Sequence, residues 1–161
     1  MKIYTDGATS NNGYSNAIGG WAFVIIDDNE ELIYSESGKV IGATNQQMEL
    51  MALSNGCEYA YNELSKKEYS ENSPFAIRET EFEVYTDSAY IINCNSQNWW
   101  SKWIHNGWIN SKKQPVANQL LWKKVIPYFL HPCFAFIKVK AHDINKWNNY
   151  VDELAVKARM S

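Results

Sequence analysis

Two stretches of the chain end alike: Tyr4-Thr5-Asp6-Gly7 closes one apolar run and Tyr85-Thr86-Asp87-Ser88 closes another. In open α/β sheets, ligand sites gather at the carboxyl ends of strands. If these two runs are neighbouring parallel strands, Asp6 and Asp87 stand side by side. Glu49 heads a helical stretch between them, and Asp152 lies on a last helix. Four carboxylates brought to one spot repel one another and resist desolvation. They are tolerable together only with cations among them, and hard oxygen donors suit Mg²⁺, or Mn²⁺. Two such ions about 3.5–4 Å apart form the clamp for in-line phosphoryl displacement, one activating the water and the other stabilising the leaving oxygen. Taken singly, each acid has an ordinary reading as a turn residue, a helix cap or a dipole-favoured surface charge. It is their joint occurrence in one topological order that points to chemistry.

The elements that must position them follow from periodicity and turn residues. Residues 2–9 read as a strand, and SNNGYSN after it as a turn cluster. Residues 18–27 are a second strand, DDNE a hairpin turn, and 31–41 a returning third strand. Over 44–67 the period changes. Thr44 is a natural N-cap, and Glu49, Leu53, Gly56, Cys57, Ala60 and Leu64 fall on one helical side. Residues 68–80, polar and containing Pro74, read as a long loop, followed by a fourth strand over 81–87. One or two short helices and a polar loop come next. Pro115 suits a first helical position, opening a helix that Pro127 should end or kink near Lys123–Ile126. A fifth strand over 133–140, a loop over 141–147 and a closing helix over 148–160 complete the chain. An antiparallel meander followed by crossover-linked strands makes a five-stranded mixed sheet flanked by helices, an α/β architecture.

Composition bounds the rest. At 161 residues, 45% hydrophobic and 20% charged, the chain reads as one globular domain over 1–161 and not as a disordered segment. Its 3 Cys are widely spaced with no CxxC, which argues against a disulfide framework and against structural zinc, and fits a reducing cytoplasm. No apolar run is long enough for a transmembrane helix, and MKIYTDGAT is too polar for a signal peptide. The expected location is therefore cytoplasmic. Net charge is −3, with 13 Lys and 2 Arg, which alone would argue against a nucleic-acid partner. The 7 Trp are unusual, because Trp99, Trp100, Trp103 and Trp108 crowd together, more closely than a core needs.

These residues also carry a family resemblance. The chain resembles the type 1 ribonuclease H family, in its short bacterial form without an added hybrid-binding domain. The similarity runs from Tyr4-Thr5-Asp6-Gly7-Ala8 through Gly19-Gly20-Trp21-Ala22 to Thr44-Asn45-Gln46-Gln47-Met48-Glu49-Leu50. It continues through Thr86-Asp87-Ser88 with Tyr90, then Lys113-Gln114-Pro115-Val116 with Asn118, Val139-Lys140-Ala141-His142, and Asn148 with Asp152-Glu153-Leu154-Ala155. The resemblance implies a monomeric endonuclease with that family's fold. It would cleave the RNA strand of RNA–DNA hybrids with two Mg²⁺ ions, or Mn²⁺ in their place, leaving a 3′-hydroxyl and a 5′-phosphate.

Carried over by position, Asp6, Glu49, Asp87 and Asp152 match the metal-binding catalytic carboxylates, and His142 the loop histidine that assists proton transfer or product release. Asn12, Asn45 and Gln46 match positions that meet RNA 2′-hydroxyls, which is the contact that tells RNA from DNA. Tyr90, Trp103 and Ser111 match a channel against deoxyribose, Thr44 and Asn93 a phosphate pocket on the DNA strand, and Asn148 completes the set expected to meet substrate. Trp99, Trp108 and Trp122 match family aromatics of the core, whereas Trp100 has no such match.

The sequence departs from the family in four places. Gly42 stands where the phosphate pocket usually has Arg, the 99–113 stretch is poor in Lys and Arg, the 68–80 stretch is longer than usual, and Ala141 replaces a Gly. Two other functions stay open on sequence. One is a transposase- or resolvase-like nuclease of the same fold, against which the Thr44–Gln46 element speaks. The other is a non-catalytic hybrid binder, against which the intact carboxylates speak. A domain cut from a reverse transcriptase is a third possibility, weakened by Met1 immediately before the first strand.

Overall fold

A computed structural model describes residues 1–65, 80–140 and 145–161. Three strands come first: β1 Lys2–Ser10, β2 Ile18–Ile26 and β3 Leu32–Ile41. Helix α1 (Asn45–Tyr59) leads into β4 (Phe82–Thr86), α2 (Ala89–Ser96), α3 (Trp99–Asn106) and α4 (Gln119–Phe129). Strand β5 (Phe134–Lys138) and α5 (Lys146–Met160) end the chain. The sheet has five strands in the order β3-β2-β1-β4-β5. β1 pairs antiparallel with β2 and β2 with β3, whereas β1–β4 and β4–β5 are parallel. This is the expected mixed sheet, with the two Tyr-Thr-Asp strands adjacent at its centre.

Alternation along β1 and β2 sends side chains to two layers. Ile3, Phe23 and Ile25 join Leu50, Leu53 and Cys57 of α1 and Trp122, Val125 and Ile126 of α4 on one face. Tyr4, Ala22, Val24 and Ile26 join Trp147, Val151 and Ala155 of α5 on the other. β2 is covered on both faces, which explains its unbroken apolar run. Two glycines let the helices close in. A Cβ on Gly7 would stand 2.6 Å from the backbone N of Glu49, and one on Gly20 would strike the carbonyl of Ala155. The helices that carry Glu49 and Asp152 are therefore seated directly on backbone.

Several boundaries differ from the sequence reading. The α-helix expected over 44–67 ends at Tyr59 and continues as a π-helical turn, Ala60–Leu64. Thr44 caps it as expected, its hydroxyl accepting from Gln47 N while the Gln47 side chain accepts from Thr44 N. Pro115 does not open a helix. It pairs with Ile109 in an isolated bridge, while Val116 is buried and donates its N–H to Trp108 O. Helix α4 starts only after Asn118. Pro127 neither ends nor interrupts it, because the helix runs on to Phe129. Pro127 and Lys123, whose carbonyl loses its usual donor there, are both exposed residues, so the proline ring meets no packed neighbour on that side of the helix. The fifth strand is shorter than expected, and α5 begins before residue 148 because Asn145 caps it. The expected 68–80 loop lies outside the described residues except for Thr80. Among the described residues, no helix is long and apolar enough to cross a membrane.

Gly20→Ala should push α5 off the sheet, because the obstacle is helix backbone and cannot rotate away. The expected loss is about 1–3 kcal/mol, as for other overpacked interiors, read as a lower denaturant midpoint.

Candidate active site

Tyr4 and Tyr85 are register partners on the parallel strands β1 and β4, and their rings stack at 4.8 Å. Two residues further along each strand come Asp6 and Asp87. Glu49 reaches the same place from the second turn of α1. One carboxylate oxygen from each of Asp6, Glu49 and Asp87 lies within 4.8 Å of the others. Asp152, on α5, lines the same cleft of about 410 Å³, together with Asn45, Gln46, Ser88 and Tyr90. The structure thus brings the four predicted carboxylates to one cleft.

The electrostatics are unfavourable without a cation. Asp6 is 4% exposed and Glu49 7%. Burial first, then the Asp87 charge, pushes the Asp6 carboxyl up to about 8. Burial and the neighbouring Asp6 and Asp87 raise Glu49 well above the ordinary carboxylate range. Asp87 is raised mainly by burial, partly offset by its own backbone N–H and by Lys138. Gly7 N donates to Asp6 Oδ1 at 2.9 Å, but Glu49 Oε2 is buried with no hydrogen-bond partner among the described residues. A buried acceptor without a donor is costly, and an all-oxygen donor set with an orphaned carboxylate oxygen fits a hard divalent cation. These residues can therefore hold such an ion.

Around this centre the other predicted residues take distinct places. Asn12, exposed in the β1–β2 connection, accepts from Asn45 N at 2.9 Å through Oδ1, and Thr9 Oγ1 donates to Asn45 Oδ1 at 3.4 Å. Asn12 and Asn45 are thus one linked unit at the start of α1, with Gln46 beside them. The Thr44 hydroxyl is engaged as a cap. Tyr90 and Asn93 sit half-buried on α2, and the Tyr90 hydroxyl accepts from Trp122 Nε1 at 2.9 Å. Trp103 is half-buried, with ring centroids 5.5 Å from Trp122 and 5.8 Å from Trp108. Trp122 is fully buried, and Trp99, Trp100 and Trp108 pack against the main core. The Trp crowding is thus largely core, with Trp103 on its outer side. Ser111 is exposed in the turn after α3, far along the chain from the carboxylates. Asn148 lies on α5 one turn before Asp152, its Oδ1 buried without a partner among the described residues. His142 and Ala141 lie outside the described residues.

Sequence reasoning missed Asn145, whose Oδ1 accepts from Trp147 N and Asn148 N and starts the helix that carries Asp152. An Asn ahead of an apolar-periodic run was the available signal. It also missed Lys138, whose positive charge favours the ionised form of Asp87.

A mixed five-stranded sheet with acids at the ends of its central parallel strands defines a class of hydrolytic folds, and the comparisons with known proteins narrow it. The RNase H family profile matches residues 1–160. Ribonuclease H from Syntrophomonas wolfei is 40% identical over 161 residues, covering 97% of this chain and 93% of that protein. Ribonuclease H from Moorella thermoacetica is 38% identical over 157 residues, covering 96% and 88%. The chain belongs to the RNase H family. Among solved structures, the foamy viral protease-reverse transcriptase in complex with dsDNA superposes with TM-score 0.77 at 21% identity, covering 98% of this chain and 92% of that one. LC11-RNase H1 in complex with RNA/DNA hybrid gives 0.66 at 20% identity, covering 99% and 96%. At such identities the structural matches speak for the fold.

The raised Asp6 carboxyl has a consequence for stability. Its ordinary value is 3.8 and its folded value about 8, so the metal-free fold keeps a proton that the unfolded chain has lost. Metal-free stability should therefore fall as pH rises from about 4 to about 8. Thermal unfolding in chelator should show this decline, and Asp6→Asn should flatten it and raise the melting temperature at pH 8.

Proposed function

We propose that this chain, as one catalytic domain over 1–161, hydrolyses the RNA strand of RNA–DNA hybrids, leaving a 3′-hydroxyl and a 5′-phosphate. The observation that carries this reading is the cluster of Asp6, Glu49 and Asp87 oxygens within 4.8 Å in a chain of this family, with Asp152 on the same cleft. The reading assigns Asp6, Glu49, Asp87 and Asp152 to two Mg²⁺ ions, for which Mn²⁺ can substitute. When bound, such ions supply Lewis-acid activation of water and neutralise charge on the leaving oxygen.

The chain's own groups do the rest. The linked amides of Asn12 and Asn45, with Gln46, stand beside the carboxylates, and amides both donate to and accept from a 2′-hydroxyl. That pairing selects the RNA strand at the point of cleavage. On the other side Tyr90 and Trp103 offer ring faces to deoxyribose, a contact that a 2′-hydroxyl would crowd, and Ser111 extends that side. Asn93 and Thr44 are assigned to a DNA phosphate, and Asn148 to the edge of the cleft. His142 is assigned to moving a proton to or from the reacting phosphate. The reading takes the chain to act as a monomer in the cytoplasm, a reducing compartment that its free cysteines fit.

The deciding measurement is digestion of a labelled hybrid beside matched RNA duplex, DNA duplex and single-stranded RNA, with Mg²⁺ and with chelator. Cleavage should be confined to the hybrid and abolished by chelator. Equal cutting of DNA duplex would favour the transposase-like alternative, and binding without cutting a non-catalytic module. Asp6→Asn and Glu49→Gln should each remove nearly all cleavage while preserving hybrid binding. His142→Ala should lose about 10²–10⁴-fold at most, the usual span for proton-transfer assistance.

The phosphate pocket should be short of positive charge. Gly42 has φ of +79° and open space around it, and Lys39, the nearest Lys in sequence, donates its ammonium to the Ser161 carbonyl. Gly42→Arg should tighten hybrid binding and raise the salt slope by about one unit, assuming the B-form value of about 0.9 per phosphate. It should also cost about 1–2 kcal/mol of stability, because a side chain is placed in the left-handed region. Affinity of the Asp6→Asn form across a salt series checks the first, and thermal unfolding the second.

A further inference from the structure

The carboxylates are not held equally. Asp6, Glu49 and Asp87 are clustered on the sheet and on α1, which is seated against Gly7. Asp152 is exposed, interacts with the Asp6 carboxyl, and is borne by α5. Helix α5 is seated against Gly20 through Ala155 and buries Trp147, Val151 and Ala155. Its first turn, ahead of Asp152, is in addition tied to β1 by two polar links. Asn145, the α5 cap, donates through Nδ2 to the Tyr4 hydroxyl at 3.5 Å. Two residues on, the buried indole of Trp147 donates through Nε1 to Glu30 Oε2 at 3.1 Å, while Glu30 Oε1 takes the Lys2 ammonium at 2.8 Å. Tyr4 and Lys2 are both on β1, the strand of Asp6, so each link refers α5 to the strand it must face.

Glu30 is conspicuous for a second reason. It sits in the β2–β3 turn, closed by Asp27 N to Glu31 O at 2.9 Å and Glu30 N to Asp27 O at 3.1 Å, with φ of +61°. That is the left-handed position of a hairpin loop, where Gly or Asn is the usual residue. A strained backbone position occupied by a side chain that makes a specific bridge points from the strain to a role. Its ion pair is exposed, and exposed pairs add little stability, so the bridge matters for where it puts α5.

We propose that Glu30 is a positioning residue for the metal site: its carboxylate, held between Lys2 and the Trp147 indole, sets α5 so that Asp152 faces Asp6. This rests on the reading of Asp152 as a metal ligand. Groups that orient ligands through one intermediary typically change metal affinity by about 10–100-fold when removed. Glu30 acts through a helix, so a change of about 3–10-fold is expected.

Glu30→Gly separates positioning from stability, because it removes the carboxylate while relieving the backbone. Calorimetric Mg²⁺ titration of the metal-free protein should show affinity weakened about 3–10-fold, with a melting temperature in chelator equal to or above wild type. On hybrid at limiting Mg²⁺, kcat should fall and KM stay unchanged. Glu30→Gln keeps an acceptor for the indole and should stay within about twofold of wild type. Trp147→Phe keeps an aromatic ring but loses the N–H together with the five-membered ring, so it should reproduce the Glu30→Gly shift in Mg²⁺ affinity with a lower melting temperature; it decides the matter if the glycine variant does not fold. Wild-type Mg²⁺ affinity in Glu30→Gly and Trp147→Phe overturns the proposal, as does an equal shift in Glu30→Gln. Unchanged Mg²⁺ affinity in Asp152→Asn overturns it by removing its premise. A wild-type protein that binds Mg²⁺ through Asp152 but cuts no hybrid refutes the proposed activity and leaves the positioning role standing.

Discussion

Like charges held in a poorly solvated place govern this structure. Asp6, Glu49 and Asp87 bring oxygens within 4.8 Å of one another, and two of the three side chains are almost fully buried. In the low effective dielectric of a folded protein such repulsion is several times what it is in water. Burial first, and this repulsion after it, raise the Asp6 and Glu49 carboxyls. A chain holds such a cluster only if the surrounding elements are stiff enough to resist its opening and a cation is available to reward it.

The stiffness comes from backbone seated on backbone. Parallel pairing of β1 with β4 puts two Tyr-Thr-Asp runs in step, with the tyrosines stacked as register partners and the aspartates two residues further on. Gly7 admits α1 and Gly20 admits α5 to distances that no Cβ would allow. Each helix then has a broad apolar contact: α1 on Ile3, Phe23 and Ile25, and α5 on Tyr4, Ala22 and Val24. Burial of these side chains, at about 1.5–3 kcal/mol each for the larger ones, supplies the stability against which the charge cluster is maintained.

A polar surface and an aromatic one flank that centre. The Asn12–Asn45 link joins the β1–β2 connection to the start of α1, so the amides reach the cleft as one unit. Opposite, Tyr90 and Trp103 are braced from behind by Trp122, which is itself wholly buried. Such a backing holds the orientation of both rings. The aromatic density near residue 100 thus serves two ends at once, filling the core beneath α3 and stiffening the surface above it.

The succession of strands along the chain, the mixed sheet and the four acids that share a cleft were legible in the sequence because each rests on a local pattern. Alternation and apolar runs mark strands, Thr44 marks a cap, and the repeated Tyr-Thr-Asp marks two strand ends of the same kind. Other features were not legible, and for definable reasons. Pro115 resembles a helix start, yet the chain uses it in a bridge to Ile109 because Val116 finds a buried partner at Trp108. Pro127 resembles a helix end, yet α4 passes through it because its ring lies on the exposed side of the helix. Trp147 reads as a loop residue until Asn145 is seen to cap the helix beneath it. The sequence by itself determined which residues are chemically able to act and in what order they occur. Only the tertiary structure decided which of them meet, because spacing along the chain carries no information about which face of a helix lies against which strand. That choice is made by close packing at Gly7 and Gly20 and by bonds spanning more than a hundred residues, such as Trp147 to Glu30 and Asn145 to Tyr4.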